Sequence, residues 1–474
     1  MVSKGRSIQR LVVISLILAM LITAMSVAWA ESSPGVDWQK TYDIHGNDNG
    51  WGMQQTTDGG YILAGTSDIT GSPKVCLVKT DPNGNTTWSN TYDIGTSSKG
   101  YSVRQTSDGG YVLAGSVKQD NTNKILLMKT DQDGTQLWNK TFGSSDLGNM
   151  EGGGYSVRQL SNGGFIIAAQ YPYPSSQHDG LYIIRTDANG NMQAQTMTGK
   201  NADIISPSLD LTSDGGYVVA ATIDYSSSGN DIYIIKFDAS GGTAWEKTIG
   251  GSGDQYCGDD GSVQQTKDGG YIIAGQNGDA YLTKTDSSGN VLWSKQYNDT
   301  GRANSVEQTD DGGYVIATSD NGQLTIIKTD STGGETWRQS GSMGASDAKA
   351  VQQTTDKGYA AFGTTNGDLY LVKLSPPASA ATGTDNGQLL SGFGNMFSGF
   401  SFPSFGSNHA TLSSPTNNFG LSFGNSLFST PTYKWLNNDN AASSLGSKVS
   451  LLPDISVHHF SLGTPINNAG WPFD

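Results

Sequence analysis

Tyr101-Ser102-Val103-Arg104-Gln105-Thr106-Ser107-Asp108-Gly109-Gly110-Tyr111-Val112-Leu113-Ala114-Gly115 is one copy of a phrase that the chain repeats seven times. The other copies are anchored at Asp58-Gly59-Gly60-Tyr61, Asn162-Gly163-Gly164-Phe165, Asp214-Gly215-Gly216-Tyr217, Asp268-Gly269-Gly270-Tyr271, Asp311-Gly312-Gly313-Tyr314 and Asp356-Lys357-Gly358-Tyr359. Successive anchors are 50, 54, 52, 54, 43 and 45 residues apart. That period belongs to propeller blades, in which each repeat is one small sheet that covers its faces with its neighbours.

Within the second copy, Tyr101 to Thr106 reads as strand A. Asp108-Gly109 is a hairpin turn, because such a dipeptide supplies the positive φ that tight turns need. Tyr111 to Gly115 is strand B. Ile125 to Met128 is strand C, apolar on both faces as a doubly covered strand must be. Gln136 to Thr141 closes the blade as strand D. The seventh copy stops after Leu371-Val372-Lys373-Leu374 without a fourth strand, while an unpartnered copy of strand D, Val36-Asp37-Trp38-Gln39-Lys40-Thr41-Tyr42, precedes the first. The sequence therefore predicts an all-β fold, a seven-bladed β-propeller of four-stranded antiparallel blades, closed by the N-terminal strand completing the last blade. The A–B and C–D turns fall at one end of the ring. The variable B–C and D–A loops fall at the other, where function on a repeat scaffold is expected.

Three segments follow from composition. Residues 1–30 carry Lys4, Arg6 and Arg10, an apolar stretch from Leu11 to about Met25, and Ala28-Trp29-Ala30. They read as a signal peptide cleaved before Glu31, with retention as an anchor the alternative. Residues 31–375 are the propeller, and no second apolar span follows. Residues 376–474 hold ten of the fourteen phenylalanines and eight of the fourteen prolines, with neither Glu nor Arg. This Phe/Gly/Ser/Asn-rich tail reads as largely disordered. The net charge of −15 argues against nucleic-acid partners, whose phosphates would be repelled. The two cysteines, Cys76 and Cys257, sit in repeats placed far apart, so no disulfide is expected.

With these residues laid out, the chain resembles the secreted DGGY-repeat β-propellers of archaea and bacteria, which stand beside the quinoprotein-dehydrogenase-like propellers. The resemblance spans about residues 36–375 and implies an extracellular propeller without implying an activity. Quinoprotein dehydrogenases pair adjacent cysteines at their cofactor; here the cysteines are isolated, so PQQ is not expected.

The recurring tryptophans and tyrosines read as packing between blades rather than as sugar platforms. Turns such as Asp81-Pro82-Asn83-Gly84-Asn85 read as Asx turns rather than calcium loops, since no bidentate Glu follows. The unrepeated residues are the functional candidates. Asp254, Asp259 and Asp260 crowd one D–A loop and form the candidate calcium set, calcium being the cofactor expected if one is held. Tyr171, Tyr173, His178 and Asp179 on a B–C loop, with Tyr256, form the candidate ligand surface. No nucleophile elbow, zinc helix or phosphate loop occurs, so no catalytic residue is assigned. The expectation is a secreted or surface-displayed binding scaffold for a polysaccharide or envelope protein. The alternatives are a glycosidase or lyase using carboxylates of the variable face, and a structural layer component that assembles through its tail.

Overall fold

The computed structural model describes residues 33–68, 71–143, 153–172, 178–200, 202–225, 229–251, 253–320, 322–340 and 347–377. Residues 1–30, expected to be a signal peptide, and nearly all of the tail (376–474) lie outside them. The described residues form seven antiparallel sheets and no helix. Blade 1 joins Asn47–Gln55, Tyr61–Asp68, Lys74–Thr80 and Thr86–Tyr92 in chain order. Blade 2 repeats this with Ser97–Gln105, Tyr111–Gln119, Thr122–Thr130 and Gln136–Phe142. Blade 7 takes Asp347–Gln353, Tyr359–Thr365 and Asp368–Leu374, and receives its outer strand, Val36–Tyr42, from the other end of the propeller. Thr41 stands opposite Tyr370 and Tyr42 opposite Leu369 in that closing pair. Strand A is longer than the alternation suggests, because Tyr101 occupies a bulge between Gly100 and Ser102 that resets the register.

Each word of the repeated phrase has a job at the A–B turn. Asp58 accepts hydrogen bonds from the Thr56 hydroxyl and the Gly60 N–H and pairs at 2.8 Å with the ammonium of Lys79, itself buried. Gly59 takes φ +82°, which favours glycine. Gly60 lies so near the Thr80 carbonyl that a Cβ would stand 2.0 Å from that oxygen. Lys129, Lys236, Lys284, Lys328 and Lys373 repeat the pairing with Asp108, Asp214, Asp268, Asp311 and Asp356. Hydrogen bonds from Thr212 and Lys236 hold the Asp214 carboxyl down to about 2. The lysine of K-T-D is thus tied to the turn carboxylate of D-G-G. The aspartate of K-T-D instead forms the Asx turn, Asp81 accepting from the N–H groups of Asn83 and Asn85.

Tryptophan and tyrosine join the blades. Trp38 of the closing strand meets Tyr61 of blade 1 edge-on at 5.9 Å and lies over Gly84, while the Tyr42 hydroxyl donates to the Gly84 carbonyl. Trp88–Tyr111, Trp138–Phe165, Trp245–Tyr271, Trp293–Tyr314 and Trp337–Tyr359 repeat the contact around the ring. Between blades 3 and 4 the tryptophan is missing, and there Tyr217 stacks on Phe237 at 4.8 Å while Arg185 reaches the Ala239 carbonyl. Cys76 and Cys257 are free and buried, in blades 1 and 5.

Closure makes Trp38 worth more than its exposure suggests. Trp38→Ala is expected to cost about 3 kcal/mol in denaturant unfolding. Removal of residues 33–42 should abolish the single cooperative transition, because it uncovers the Asp368–Leu374 edge.

Candidate functional site

Strand A lines the central channel, and its alternation sorts three side chains in each blade. In V-x-Q the valine, or its Met53 or Leu209 counterpart, is buried between blades. The glutamine serves a neighbouring turn, as when Gln105 accepts from the Thr57 N–H. The middle residue faces the channel, so the ring is lined by Gln54, Arg104, Arg158, Asp210, Gln264, Glu307 and Gln352, which surround a pocket of about 200 Å³. Five of these seven accept a hydrogen bond from the next blade's main chain. Gln54 accepts from Gln105 N–H at 2.7 Å, Asp210 from Gln265, Gln264 from Gln308, Glu307 from Gln353, and Gln352 from Gln55. Arginine has no acceptor, so Arg104 and Arg158 break the ring of hydrogen bonds. Their guanidinia bind the Val103 and Val157 carbonyls, and Asp260.

Asp260 reaches them because the inner strand of blade 5 is broken. Tyr256–Cys257 and Val263–Gln265 both pair with Tyr271–Asn277, leaving five residues, Gly258 to Ser262, opposite Ala274 alone. In blades 1 and 2 the same place holds a single bulged residue, Trp51 or Tyr101. The enlarged bulge projects into the channel as a plug. Asp260, 8% exposed, meets Arg104 at 2.8 Å and Arg158 at 3.3 Å and accepts from the Ser156 hydroxyl at 2.6 Å. Asp259 turns the other way, 3.1 Å from Lys349 and 3.7 Å from Arg302. Burial by itself would raise the Asp260 carboxyl, but the two guanidinia, together with hydrogen bonds from Ser156 and Ser102, outweigh it and hold the group below the ordinary carboxylate range. Burial, helped by Arg158, draws Arg104 down to about 10. Glu307 has no such partner, and burial pushes it up to about 8. Burial likewise raises Asp210.

The bulges of the first three blades add an aromatic arc. Trp51 meets Tyr101 edge-on at 5.4 Å, and Tyr101 stacks on Tyr155 at 5.0 Å and 9°. The Lys349 ammonium sits 4.6 Å from the centre of the Trp51 ring, a cation–π geometry. Three buried polar atoms, Trp51 Nε1 in the arc and Asn304 Oδ1 and Arg302 Nε at the inner strand of blade 6, have no hydrogen-bond partner among the described residues. Such atoms are costly in a dry interior and are met by a ligand or by water.

The residues singled out from sequence fall in three places. Asp259 and Asp260 are in the channel, engaged with cations, and with Asp254 they do not form the expected calcium set. Asp254 instead accepts from Asn230 N–H at 2.9 Å, and Asn230 also donates to the Tyr256 hydroxyl at 3.0 Å. That joins Asp254 to Tyr256 on a rim loop. His178 and Asp179 gather at Asp203, 3.3 Å from His178 Nδ1 and accepting from the Asp179 N–H. Tyr171 is buried against Tyr182, so it is no exposed contact residue, and Tyr173 lies outside the described residues. The pocket lies toward the A–B turns, opposite to the variable loops where function was expected. The middle letter of V-x-Q carried its signal, as the place where the phrase changes chemistry from copy to copy.

No family model and no curated protein matches the chain. Among solved structures, a protein of unknown function from Bacteroides caccae is similar at 14% identity and TM-score 0.42, over 61% of this chain and 97% of that one. A streptogramin B lyase is similar at 12% identity and TM-score 0.49, over 71% and 98%. BBS1N, solved in complex with ARL6DN, is similar at 10% identity and TM-score 0.45, over 74% and 99%.

Two outcomes test the channel's electrostatics. Asp260→Asn strands two guanidinia and should cost about 3–5 kcal/mol in denaturant unfolding. Glu307 is raised in the folded state, so folding takes up its proton between the ordinary glutamate range and pH about 8, and stability falls as pH rises through that window. Glu307→Gln should remove that slope, at most about 1.4 kcal/mol per pH unit. Unfolding free energies at acid, neutral and alkaline pH read the difference.

Proposed function

We propose that the chain is a secreted or cell-surface propeller of the DGGY-repeat type, related to the quinoprotein-like propellers, that binds a glycan or envelope protein without catalysis. The observation that carries this reading is the aromatic arc Trp51–Tyr101–Tyr155 beside a plug of ion-paired charge. Flat aromatic faces with an N–H that lacks a protein partner, Trp51 Nε1, suit a polyhydroxylated ring, whose apolar face stacks while a hydroxyl accepts from that N–H. An extended ligand would lie along the channel mouth at the arc, outside the pocket of about 200 Å³ lined by Arg104, Asp210 and Glu307. The rim residues His178, Asp179, Tyr256 and Asp254 extend the surface available to it. The leader would export the chain, and the tail would tether it. No helix among the described residues is long and apolar enough to cross a membrane.

One observation favours the enzymatic alternative. Glu307 stays largely protonated at neutral pH and lines the same pocket as a second buried carboxyl, Asp210, and two carboxyls facing one pocket are the equipment of a glycosidase. Against it, Asp210 and Glu307 are both occupied by the main-chain hydrogen bonds of the ring.

Retention of the chain on a panel of polysaccharides and envelope fractions, with released reducing ends measured in parallel, separates the two. The binding reading expects retention without product, weakened at least about tenfold by Trp51→Ala and left intact by Glu307→Gln. Product that disappears in Glu307→Gln would establish the enzyme instead.

A further inference from the structure

The seam where the ring closes carries three carboxylates where the neighbouring seam carries an ion pair. Asp43 follows the closing strand, Asp48 is the second residue of the inner strand of blade 1, and Asp368 opens the third strand of blade 7. One carboxylate oxygen from each lies within 4.8 Å of the others. Asp48 is fully buried; its Oδ2 accepts from the Ile44 N–H at 2.7 Å, and its Oδ1 has no partner among the described residues. An ionised oxygen in that state is among the most expensive groups a fold can contain.

The repeat supplies its own control. Counting back from the paired lysines Lys373 and Lys79, Asp368 occupies the position of Lys74. Counting on from Tyr42 and Tyr92, Asp43 and Asp48 occupy those of Asp93 and Ser98. At the seam between blades 1 and 2, Lys74 pairs with Asp93 at 3.2 Å, and the Ser98 hydroxyl accepts from the Val75 N–H. At the closing seam the lysine has become an aspartate and the serine another. Positive charge has been removed and the number of carboxylates raised from one to three at one locus of an otherwise copied joint. No lysine or arginine among the described residues forms an ion pair with Asp43, Asp48 or Asp368.

We propose that Asp43, Asp48 and Asp368 hold a divalent cation, calcium by its preference for hard carboxylate oxygens, which clamps the N-terminal strand into blade 7. The ion stands where the lysine of the neighbouring seam stands, and joins three segments: the loop after the closing strand, the inner strand of blade 1 and the hairpin of blade 7. It binds the closed ring and not the unfolded chain, so it stabilises closure by mass action. The site is separate from the channel and from the loop holding Asp254.

Calcium titration of the purified full chain, by calorimetry and by thermal melting against EDTA, tests this. One calcium per chain is expected, with a melting temperature raised by about 3–6 °C at calcium well above the dissociation constant. Asp48→Asn should weaken binding at least about tenfold. Asp368→Lys rebuilds the Lys74–Asp93 pair and should abolish binding, yet melt in EDTA no lower than the calcium-free parent. The proposal is overturned by a parent chain that shows no binding and no melting shift. It is equally overturned by a calcium response that persists undiminished in both variants.

Discussion

A ring of sheets has to end where it begins. Every blade is apolar on both faces, so each face needs a neighbour, and the last face can find one only if the chain returns to its start. The return is made by Val36–Tyr42, which brings into blade 7 the tryptophan and tyrosine that also mark the outer strands of blades 1 and 5, and sets them on the glycine turn of blade 1. With that joint made, no blade face is left over, and the remaining joints, that between blades 3 and 4 excepted, become copies of one interaction. The aromatic pairs then fix the spacing of the blades, and the spacing fixes the bore of the channel.

The same repetition explains how the fold tolerates buried lysines. Each one lies along the strand with its ammonium tied to the turn aspartate and to a carbonyl, as Lys79 is to Asp58 and to the Thr80 carbonyl at 2.7 Å. Where blade 3 has Asn162 in place of the aspartate, the lysine has become Arg185, and its charge leaves the turn for the Ala239 carbonyl of blade 4. Charge and partner change together, as expected when an unpaired buried ammonium is costly. The channel obeys the same rule in reverse. Two arginines enter a ring of acceptors, and the enlarged bulge of blade 5 brings Asp260 to meet them.

Much of the architecture was legible in the repeats: the blade count, the closing strand, the packing role of the tryptophans and the Asx turns all follow from local pattern. The functional reading was less legible, for identifiable reasons. Alternation shows that Arg104 and Asp210 lie on the face opposite to the valines, but not that seven such residues converge on one axis. Gly258 to Ser262 reads as a variable loop by composition. Only pairing with Tyr271–Asn277 reveals it as an insertion within strand A, which turns it inward and carries Asp259 and Asp260 away from Asp254. Tyr171 looked like a contact residue because prolines surround it. Strand pairing with Gly180 instead carries it into the core.

Hydrogen exchange in the full chain, followed through peptides covering residues 36–42, tests closure most directly. If the N-terminal strand is the outer strand of blade 7, its amides exchange as slowly as those of Thr86–Tyr92, the matching strand of blade 1, and lose protection together with Asp368–Leu374. Rapid exchange of 36–42 while Asp368–Leu374 stays protected would mean that the ring is sealed some other way, and would contradict the account.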